Sequence, residues 1–395
     1  MMWMKKTIKE LDIYISDGNY SSKYPRSEEF VEEGIPFIRG NNMVDGDITD
    51  DEMYFITPEK HSILLKGHVK AGDVLITTRG NIGQVAIVPD RHEDSNINAQ
   101  IVLLRTNQET LYNRYLLWAL QSHEANEQYL ALQTGTALKQ LPVGKLEKLS
   151  IEVTDINKQH EIADILDKTY EVVKLRRKEL QLLDDLIKAR FVEMFGDPVS
   201  NPLGWEKKML KTVCVKLNDG THFSPESFEE GEYKYVTAKN IKESGFDFTN
   251  ITYVSEAVHR PIYERCNPEL GDVLYIKDGV TTGIAMVNTL NEEFTLLSSV
   301  ALLKQNRKIM DGYFLAAVLN NENMYSDIRS NMGGAAITRL TIAKLNMIQI
   351  IVPPLKLQQQ FSDFVHQVDK SKVAVQKALK ETQLLFDSLM QQYFG

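Results

Sequence analysis

The tetrapeptide Gly-Asp-Val-Leu occurs twice in this sequence, at residues 72–75 and again at residues 271–274. The same separation of 199 residues relates the stretch GTALKQL at 135–141 to GAAITRL at 334–340. A separation this long excludes a solenoid of short repeats, whose periods are about 20–50 residues. The repeat therefore indicates that a whole domain has been duplicated.

The duplication extends to both sides of these stretches. Near the start the separation drifts to 202, which small insertions in loops explain. Matching residues include Trp3 with Trp205, Asp17 with Asp219, and Phe195 with Phe394. The chain is therefore two copies of one module, at about residues 3–196 and 205–395.

The composition is that of an ordinary globular protein. Of the 395 residues, 43% are hydrophobic and 25% are charged, which excludes a mostly disordered chain. We expect a cytoplasmic protein, because two cysteines cannot form a disulfide framework and the start lacks a secretory signal. The net charge of −9 argues against a bulk nucleic-acid coat protein. It does not exclude DNA binding, which depends on local basic patches.

The first part of each module mixes short strands and helices. The sequence GDVLITTRGNIGQVAIVP at 72–89 predicts a strand, a glycine-rich turn and a second strand. GDVLYIKDGVTTGIAMV at 271–287 repeats this pattern. Residues 113–121 and 312–320 are predicted to form a matched pair of short helices. Together these elements indicate an α+β fold.

The second part of each module predicts one long helix, since residues 159–195 and 358–394 contain no proline or glycine. A stripe with alternating spacings of three and four runs along each span, which is the pattern of a coiled-coil seam. Neither helix, each roughly 55 Å long at ~1.5 Å per residue, can bury this stripe in its own small domain. We therefore expect them to pair with each other, through the seam residues Ile162, Leu166, Val173, Leu180, Ile187, Phe361, Val365, Val375, Leu379 and Phe386.

The usual catalytic motifs are missing from the sequence. It contains no P-loop, no Gly-x-Gly-x-x-Gly and no Gly-x-Ser-x-Gly. Cys214, His222, His259 and Cys266 are spaced unlike the ligands of any standard zinc finger. We therefore predict no catalytic residues and no metal site in this chain.

The duplicated plan resembles the specificity subunit of type I DNA restriction–modification enzymes, over essentially the whole chain. The resemblance rests on the two Gly-Asp-Val-Leu hairpins and on seven further motifs. These are DGNYSSKYP (17–25), GIPFIRGNNM (34–43), IEVTDINKQHEIADIL (151–166), FVEMFGDPVSNPLGW (191–205), DGTHFSP (219–225), YKYVTAKNI (233–241) and IIVPPLKLQQQFSDFV (350–365). One departure is that Thr154-Asp155 stands where the second copy has Pro353-Pro354, which makes the first junction less rigid.

The resemblance implies two pseudo-twofold-related target recognition domains, separated by two long antiparallel helices that form a coiled coil. The implied boundaries are 1–154 and 197–352 for the recognition domains, and 155–196 and 353–395 for the helices. It further implies that the chain binds double-stranded DNA and two modification (methyltransferase) subunits, with restriction subunits completing the complex. S-adenosylmethionine, ATP and Mg²⁺ then belong to those partners, and this chain has no cofactor and no enzymatic activity of its own.

Base edges are read by arginine or lysine, by asparagine or glutamine, and by serine or threonine. Such residues in the predicted loops are the candidates for DNA contact: Tyr20, Lys23, Arg39, Asn41, Asn42, Thr78, Arg79, Asn81, Thr136, Lys139, Thr221, His222, Lys239, Asn240, Lys277, Thr281, Thr282, Thr338 and Arg339. The competing interpretations are a solvated or ion-paired charge, an asparagine that caps a turn, and a histidine that braces a loop. Asp17 and Asp219 are better explained as turn-forming residues.

Matched loops carry different side chains, since Thr78-Arg79 corresponds to Lys277-Asp278. Two different half-sites, and so an asymmetric target, are expected. Two alternatives remain open at this stage. One is the recognition subunit of a multi-subunit type II system, and the other is a coiled-coil scaffold or binding protein with no DNA role.

Overall fold

The structure is a computed structural model, and it describes residues 3–20, 22–136, 138–330 and 339–395. The chain divides into two compact units that differ from the two sequence modules. The first unit contains residues 1–177 together with 377–395, and the second contains residues 178–376. Each unit thus combines one mixed α/β region with segments of both long helices.

The first unit contains three sheets and a hairpin. Its strands are β1 (Met4–Thr7), β2 (Ile13–Asp17), β3 (Ile35–Ile38), β4 (Met43–Val44), β5 (Asp47–Ile48), β6 (Tyr54–Ile56), β7 (Val74–Thr77), β8 (Val85–Ile87), β9 (Asn96–Ile97), β10 (Ile101–Thr106) and β11 (Ser150–Val153). The order is β2-β10-β7-β8 in the main antiparallel sheet, β6-β3-β9 in a mixed sheet, and β1-β11 in a two-stranded sheet, with β4 and β5 forming the hairpin.

The helices of this region are α1 (Pro58–Ile63), α2 (Asn113–Gln121), α3 (His123–Leu132), α4 (Val143–Leu146) and α5 (Ile156–Phe195), of which α5 continues into the second unit. The bounds predicted for α2 from sequence are those observed. This helix packs on the main sheet through residues with almost no solvent exposure, including Tyr115 and Trp118.

The second unit repeats this topology. Its strands are β12 (Lys207–Met209), β13 (Cys214–Asp219), β14 (Tyr233–Val236), β15 (Ile241–Lys242), β16 (Gly245–Phe246), β17 (Thr252–Val254), β18 (Val273–Ile276), β19 (Ala285–Val287), β20 (Thr295–Leu296), β21 (Val300–Gln305) and β22 (Gln349–Ile351). The strand orders are β13-β21-β18-β19, β17-β14-β20, β15-β16 and β12-β22. Each order matches its counterpart in the first unit, strand for strand, which confirms the duplication.

The remaining helices are α6 (Leu210–Val213), α7 (Glu256–Arg265), α8 (Gly312–Asn320), α9 (Glu322–Ser330), α10 (Ile342–Met347) and α11 (Leu355–Phe394), of which α11 ends in the first unit. The predicted bounds of α8 are again those observed. Within the described ranges, no helix is long and apolar enough to cross a membrane.

The pairs Asp17-Gly18 and Asp219-Gly220 lie at the ends of β2 and β13, where two backbones touch. A Cβ atom built on Gly18 would collide with the carbonyl oxygen of Asn98, and one on Gly220 would collide with that of Leu296. Only glycine permits this close approach. The repeated Asp-Gly therefore ends β2 and β13 in the same way and directs the following loop across the sheet end.

The two long helices run antiparallel within each unit. In the first unit the Tyr170 and Phe386 rings lie 5.2 Å apart and Arg177 Nη2 donates to Gln383 Oε1 over 3.2 Å. In the second unit, Phe191 lies 5.6 Å from Phe361 by ring centroids. Of the seam residues, Ile162, Leu166, Val173, Phe361, Val365 and Phe386 are buried, and Leu180, Ile187, Val375 and Leu379 are half-buried.

The C-terminal ends of the two long helices also pack into the α/β cores. In the first unit, Phe386 and Phe394 pack on Trp118 and Tyr115 at ring distances of 5.4 and 5.2 Å. In the second unit, Phe195 lies 4.7 Å from Phe314. Each α/β core is thus completed by the end of the helix that belongs to the other sequence module.

One buried glutamine fastens the start of each long helix. Gln159 is fully buried; its Oε1 accepts from Tyr112 N at 2.9 Å, and its Nε2 donates to the oxygens of Thr110 and Thr154. Gln358 repeats this arrangement with Asp311 N and two backbone carbonyls. The duplicated glutamine therefore holds the helix and the α2 or α8 region in one orientation.

We expect Gln159→Leu to lower the free energy of unfolding of the first unit by roughly 2–4 kcal/mol, because it leaves one amide and two carbonyls without partners in a dry site. Denaturant unfolding of the full chain measures this, followed by the fluorescence of Trp118 in a background where Trp3 and Trp205 are replaced by phenylalanine. Gln181→Leu, on the exposed side of the same helix, is the control and should change stability by less than about 0.5 kcal/mol. Equal stability of both variants would contradict the anchoring role.

Candidate nucleic-acid interface

The β7–β8 turn of the first unit lies against the described residues of the segment at 134–141, which are 134–136 and 138–141. Arg79 forms an isolated bridge with Gln140, and Leu141 N donates to Thr78 O over 2.8 Å. The segment also closes on itself through a Thr134–Gln140 bridge. This arrangement places two loops from distant parts of the sequence at one end of the main sheet, and the segment carries the exposed candidates Thr136 and Lys139.

Tyr20 and Arg79 connect this turn to the loop that follows β2. The Arg79 guanidinium carbon lies 4.8 Å from the Tyr20 ring centroid. Burial raises the pKa of the Tyr20 hydroxyl, and the Arg79 cation opposes that shift. A guanidinium whose face rests on a ring keeps its in-plane N–H groups directed outward, which is the geometry for bidentate hydrogen bonds to guanine.

The turn after β3 contains a half-buried arginine and a buried asparagine, which have different roles. Arg39 stacks 3.4 Å from the Tyr54 ring centroid and donates from Nη2 to Glu52 O at 2.6 Å. Asn42 is fully buried; it accepts from Arg39 N and donates to Asp51 O. The side chain of Asn42 is thus used within the turn.

Asn240 has the same role in the second unit. It is 3% exposed, accepts from Thr237 N at 3.0 Å and donates to Asp247 O at 3.1 Å. For Asn42 and Asn240 the structure therefore favours turn capping, the competing interpretation, over base reading.

The corresponding end of the second unit is a network of charges around Asp219. Lys277 is 1% exposed, and its Nζ lies 3.4 Å from Asp219 and 2.7 Å from Asp278. His222 Nε2 lies 3.2 Å from Asp219, and Arg339 Nε lies 3.4 Å from Asp278. Because its ammonium group neutralises two carboxylates beneath the surface, Lys277 supports the loop in this conformation.

The candidates fall into groups by exposure. The exposed ones are Tyr20, Lys23, Asn41, Arg79, Asn81, Thr136, Lys139, His222, Lys239, Thr281 and Arg339. Arg39 is half-buried, and the buried ones are Asn42, Thr78, Thr221, Asn240, Lys277 and Thr282. Thr338 lies outside the described residues. Contact between a base and any of the buried group would require the loops to rearrange.

Several residues that shape these loops are absent from the sequence candidates. Arg265 contacts Asp219 at 3.5 Å, Arg329 donates to Thr282 O at 3.1 Å, and Gln140 pairs with Arg79. Arg265 and Arg329 lie near the ends of helices, where a basic residue is an ordinary feature of a sequence. Only the packing of those helices beside the sheet end reveals that they brace the loops.

The four residues considered for zinc do not form a ligand cluster within the described part of the chain. Burial raises the pKa of both the Cys214 and Cys266 thiols to about 12, so neither favours a thiolate. A different group has the composition of a metal site: His61, His68 and Asp94, whose ligand atoms all lie within 4.8 Å of one another. None of these three residues was among the predicted site residues, because no motif in the sequence connects them.

A family model described as the type I restriction modification DNA specificity domain matches this chain twice, at residues 2–184 and 202–383. The chain belongs to this family. The two matches fall on the two sequence modules, and the specificity domain is therefore the duplicated unit.

Relatives of the specificity family span nearly the whole chain. The type I restriction enzyme MjaIX specificity subunit of Methanocaldococcus jannaschii is 20% identical, over 98% of this chain and 91% of the relative. The putative MjaX specificity subunit of the same organism is 23% identical, over 88% and 85%. At 98% coverage, the similarity to the MjaIX subunit includes both modules.

Solved structures show the same fold. A type I restriction–modification S subunit from M. genitalium aligns over 100% of this chain and 96% of its own, with a TM-score of 0.61 and 18% identity. A structure described as bearing on complex assembly and conformational transition of the type I system aligns over 99% and 97%, with a TM-score of 0.55 and 17% identity. The predicted α+β fold with two recognition domains and long helices is therefore confirmed.

Specificity subunits supply DNA recognition rather than catalysis.

Proposed function

We propose that this chain is the sequence-specific DNA-recognition subunit of a type I restriction–modification complex, and that each α/β region reads one half of a bipartite, asymmetric target. The observation that carries this proposal is the difference between the equivalent turns. Ile76 pairs with Val85 across the first turn, whereas Tyr275 pairs with Ala285 across the second, which is one residue longer. The same scaffold thus presents two different reading surfaces.

The exposed candidates are the proposed readers. In the first unit the Tyr20–Arg79 pair is the centre of this surface, because it combines a stacking face with a bidentate donor. In the second unit His222 and Arg339 occupy the corresponding end and are held by Asp219 and Asp278. Asp17 pairs with Lys66 at 2.9 Å, and Asp219 lies 3.4 Å from Lys277, which supports a bracing role for these two aspartates.

The partners follow from the family. The proposed complex contains two modification subunits, which carry S-adenosylmethionine chemistry, and restriction subunits, which use ATP and Mg²⁺, and it acts on double-stranded DNA in the cytoplasm. Residues 1–154 and 197–352 are the proposed recognition domains. The helices at 155–196 and 353–395 are proposed to set the spacer between half-sites and to dock the modification subunits.

Arg79→Ala tests the reading surface. If Arg79 contacts a base, the variant should weaken or relax recognition of one half-site by about 1–3 kcal/mol and leave the other half-site unchanged. The measurement is binding of the assembled methyltransferase complex to targets varied at each position, at fixed salt. If Arg79 contacts only phosphate, affinity should fall equally for all sequences and the salt dependence should become less steep.

Arg79→Lys is the matched control, because lysine keeps the charge but loses the planar fork. A base contact predicts that this variant is also defective at the same half-site, whereas a phosphate contact predicts nearly normal binding. If neither variant changes binding or specificity, Arg79 does not contact DNA and the proposed reading surface is wrong.

A further inference from the structure

His61, His68 and Asp94 converge from three separate places in the first unit. His61 lies in α1, His68 precedes β7, and Asp94 precedes β9. His61 Nε2 lies 3.4 Å from one carboxylate oxygen of Asp94, and His68 Nδ1 lies 3.9 Å from the other. The two imidazole rings meet edge to face, with centroids 4.5 Å apart.

The hydrogen bonds of both histidines leave the converging nitrogens as acceptors. His61 Nδ1 lies 2.5 Å from Asn96 Oδ1, and His68 Nε2 lies 2.6 Å from the carbonyl oxygen of Leu64. An oxygen acceptor requires a proton on the nitrogen that faces it, so in each neutral ring the lone pair is on the other nitrogen, toward Asp94. Outer-shell partners orient metal-binding histidines in this way.

The backbone around the three residues is tied together. Asp94 has a left-handed φ of 60°, which is uncommon for a residue with a side chain, and its N–H donates to Val69 O at 2.9 Å. His68 forms an isolated bridge with Asn96. The carboxylate is therefore directed at the two rings by the fold, although 72% of its side chain is exposed.

The second unit has an equivalent histidine and an equivalent acidic residue, and an arginine side chain lies beside them. His259 and His61 are each the fourth residue after the N-cap of their helix. His259 Nε2 lies 3.3 Å from Glu293, and Arg260 Nη1 lies 2.7 Å from the same carboxylate oxygen. A guanidinium thus balances the acid in the second unit.

The first unit differs from the second at two positions beside this histidine and this acidic residue. Counted from the helix N-caps Thr57 and Ser255, Ser62 corresponds to Arg260. Counted back from the repeated Gly-Asp-Val-Leu, His68 corresponds to Asn267, whose side chain accepts from Lys216 Nζ. The first unit therefore has a serine in place of this arginine and a second imidazole in place of this asparagine. Both differences favour the binding of a metal cation that prefers nitrogen ligands.

We propose that His61, His68 and Asp94 bind a Zn²⁺ ion. Two imidazoles and a carboxylate are a common protein set for zinc, with solvent at the fourth position. Metal–ligand distances of about 2.0–2.1 Å place tetrahedral ligand atoms roughly 3.3 Å apart. The His61–Asp94 distance of 3.4 Å is close to this value, and the His68–Asp94 distance of 3.9 Å would have to shorten when the ion binds. The ion would fasten α1 to the segments before β7 and β9.

The test is a Zn²⁺ titration of the full chain against a chromophoric chelator, with Co²⁺ as a spectroscopic probe. We expect one tight equivalent of zinc and, with Co²⁺, the intense visible absorption of tetrahedral coordination. His68→Asn and Ser62→Arg each introduce the residue of the second unit. Each should weaken zinc binding by more than about 100-fold, a larger loss than outer-shell changes cause.

His123→Gln is the control, because His123 is an exposed helical histidine 3.9 Å from a single glutamate; it should bind zinc as the unaltered chain does. Thermal unfolding separates folding from binding. Zinc should raise the Tm of the unaltered chain and of His123→Gln, but not that of His68→Asn or Ser62→Arg. Unchanged zinc affinity in both of those variants, or no tight equivalent in the unaltered chain, would overturn the proposal.

Discussion

A fragment of residues 1–196, expressed with modification subunits, is expected to methylate a palindrome made of the first half-site and its inverted copy. The physical reason lies in the first unit, whose core is completed by residues 377–395 of the other module. Without them the fragment exposes the surface that Phe386 and Phe394 cover. The equivalent residues of a second fragment, Ile187 and Phe195, can cover it, so the fragment should form a twofold dimer.

The fragment dimer should be weaker than the intact pairing. Ile187 replaces an aromatic ring that lies 5.4 Å from Trp118. Asp184 also loses its partner: in the intact chain it lies 2.6 Å from Lys372, a residue equivalent to Val173 in the first module. Dissociation should be visible by sedimentation at low protein concentration.

Asp184→Leu makes this test sharper, because it should stabilise the fragment dimer and destabilise the intact chain. In the fragment, leucine would face Val173 and strengthen the dimer. In the intact chain it would remove the closer of two carboxylates that pair with Lys372, whose side chain is 13% exposed, and leave Asp369 at 3.8 Å, so stability should fall by roughly 1 kcal/mol. The two-module interpretation would fail if the fragment alone methylated the original asymmetric target.

Seven residues inserted into both long helices, after Arg177 and after Gln376, are expected to lengthen the preferred spacer while both half-sites persist. Seven residues are two turns of a coiled-coil seam, so the apolar stripe keeps its register. The added length is roughly 10 Å at ~1.5 Å per residue, or about three base pairs. Sequencing the methylated sites of cells that carry the altered subunit measures the spacer.

An insertion in only one helix is the control for this experiment. It lengthens one apolar stripe and leaves the other unchanged, so it should reduce assembly instead of producing a new spacer. If the double insertion keeps full activity with the original spacer, the helices do not determine the distance between half-sites.

The sequence alone was sufficient to predict the duplication, the glycine-rich hairpin and the long helices. These features depend on local energetics that a sequence displays directly. Helix α2 has its predicted bounds because its apolar residues recur with helical spacing. The long helices α5 and α11 begin at Ile156 and Leu355, three residues before the predicted spans, at the junctions where Gln159 and Gln358 bind the adjacent backbone.

Tertiary structure decided which polar side chains can take part in binding. Asn42 and Lys277 belong to residue types that read bases, but the fold uses one to cap a turn and the other to balance two carboxylates. Their sequence neighbours give no indication of this, because burial is determined by strands that are distant in the chain. The same reason explains why Arg265 and Arg329 were missed.

The convergence of His61, His68 and Asp94 is the clearest case. Thirty-three residues separate the first from the last, and no motif connects them. They meet because β9 pairs in parallel with β3, which carries the turn at Asp94 past the end of α1. Sequence determined the elements through local propensity and periodicity, whereas strand pairing over long distances determined which side chains face one another.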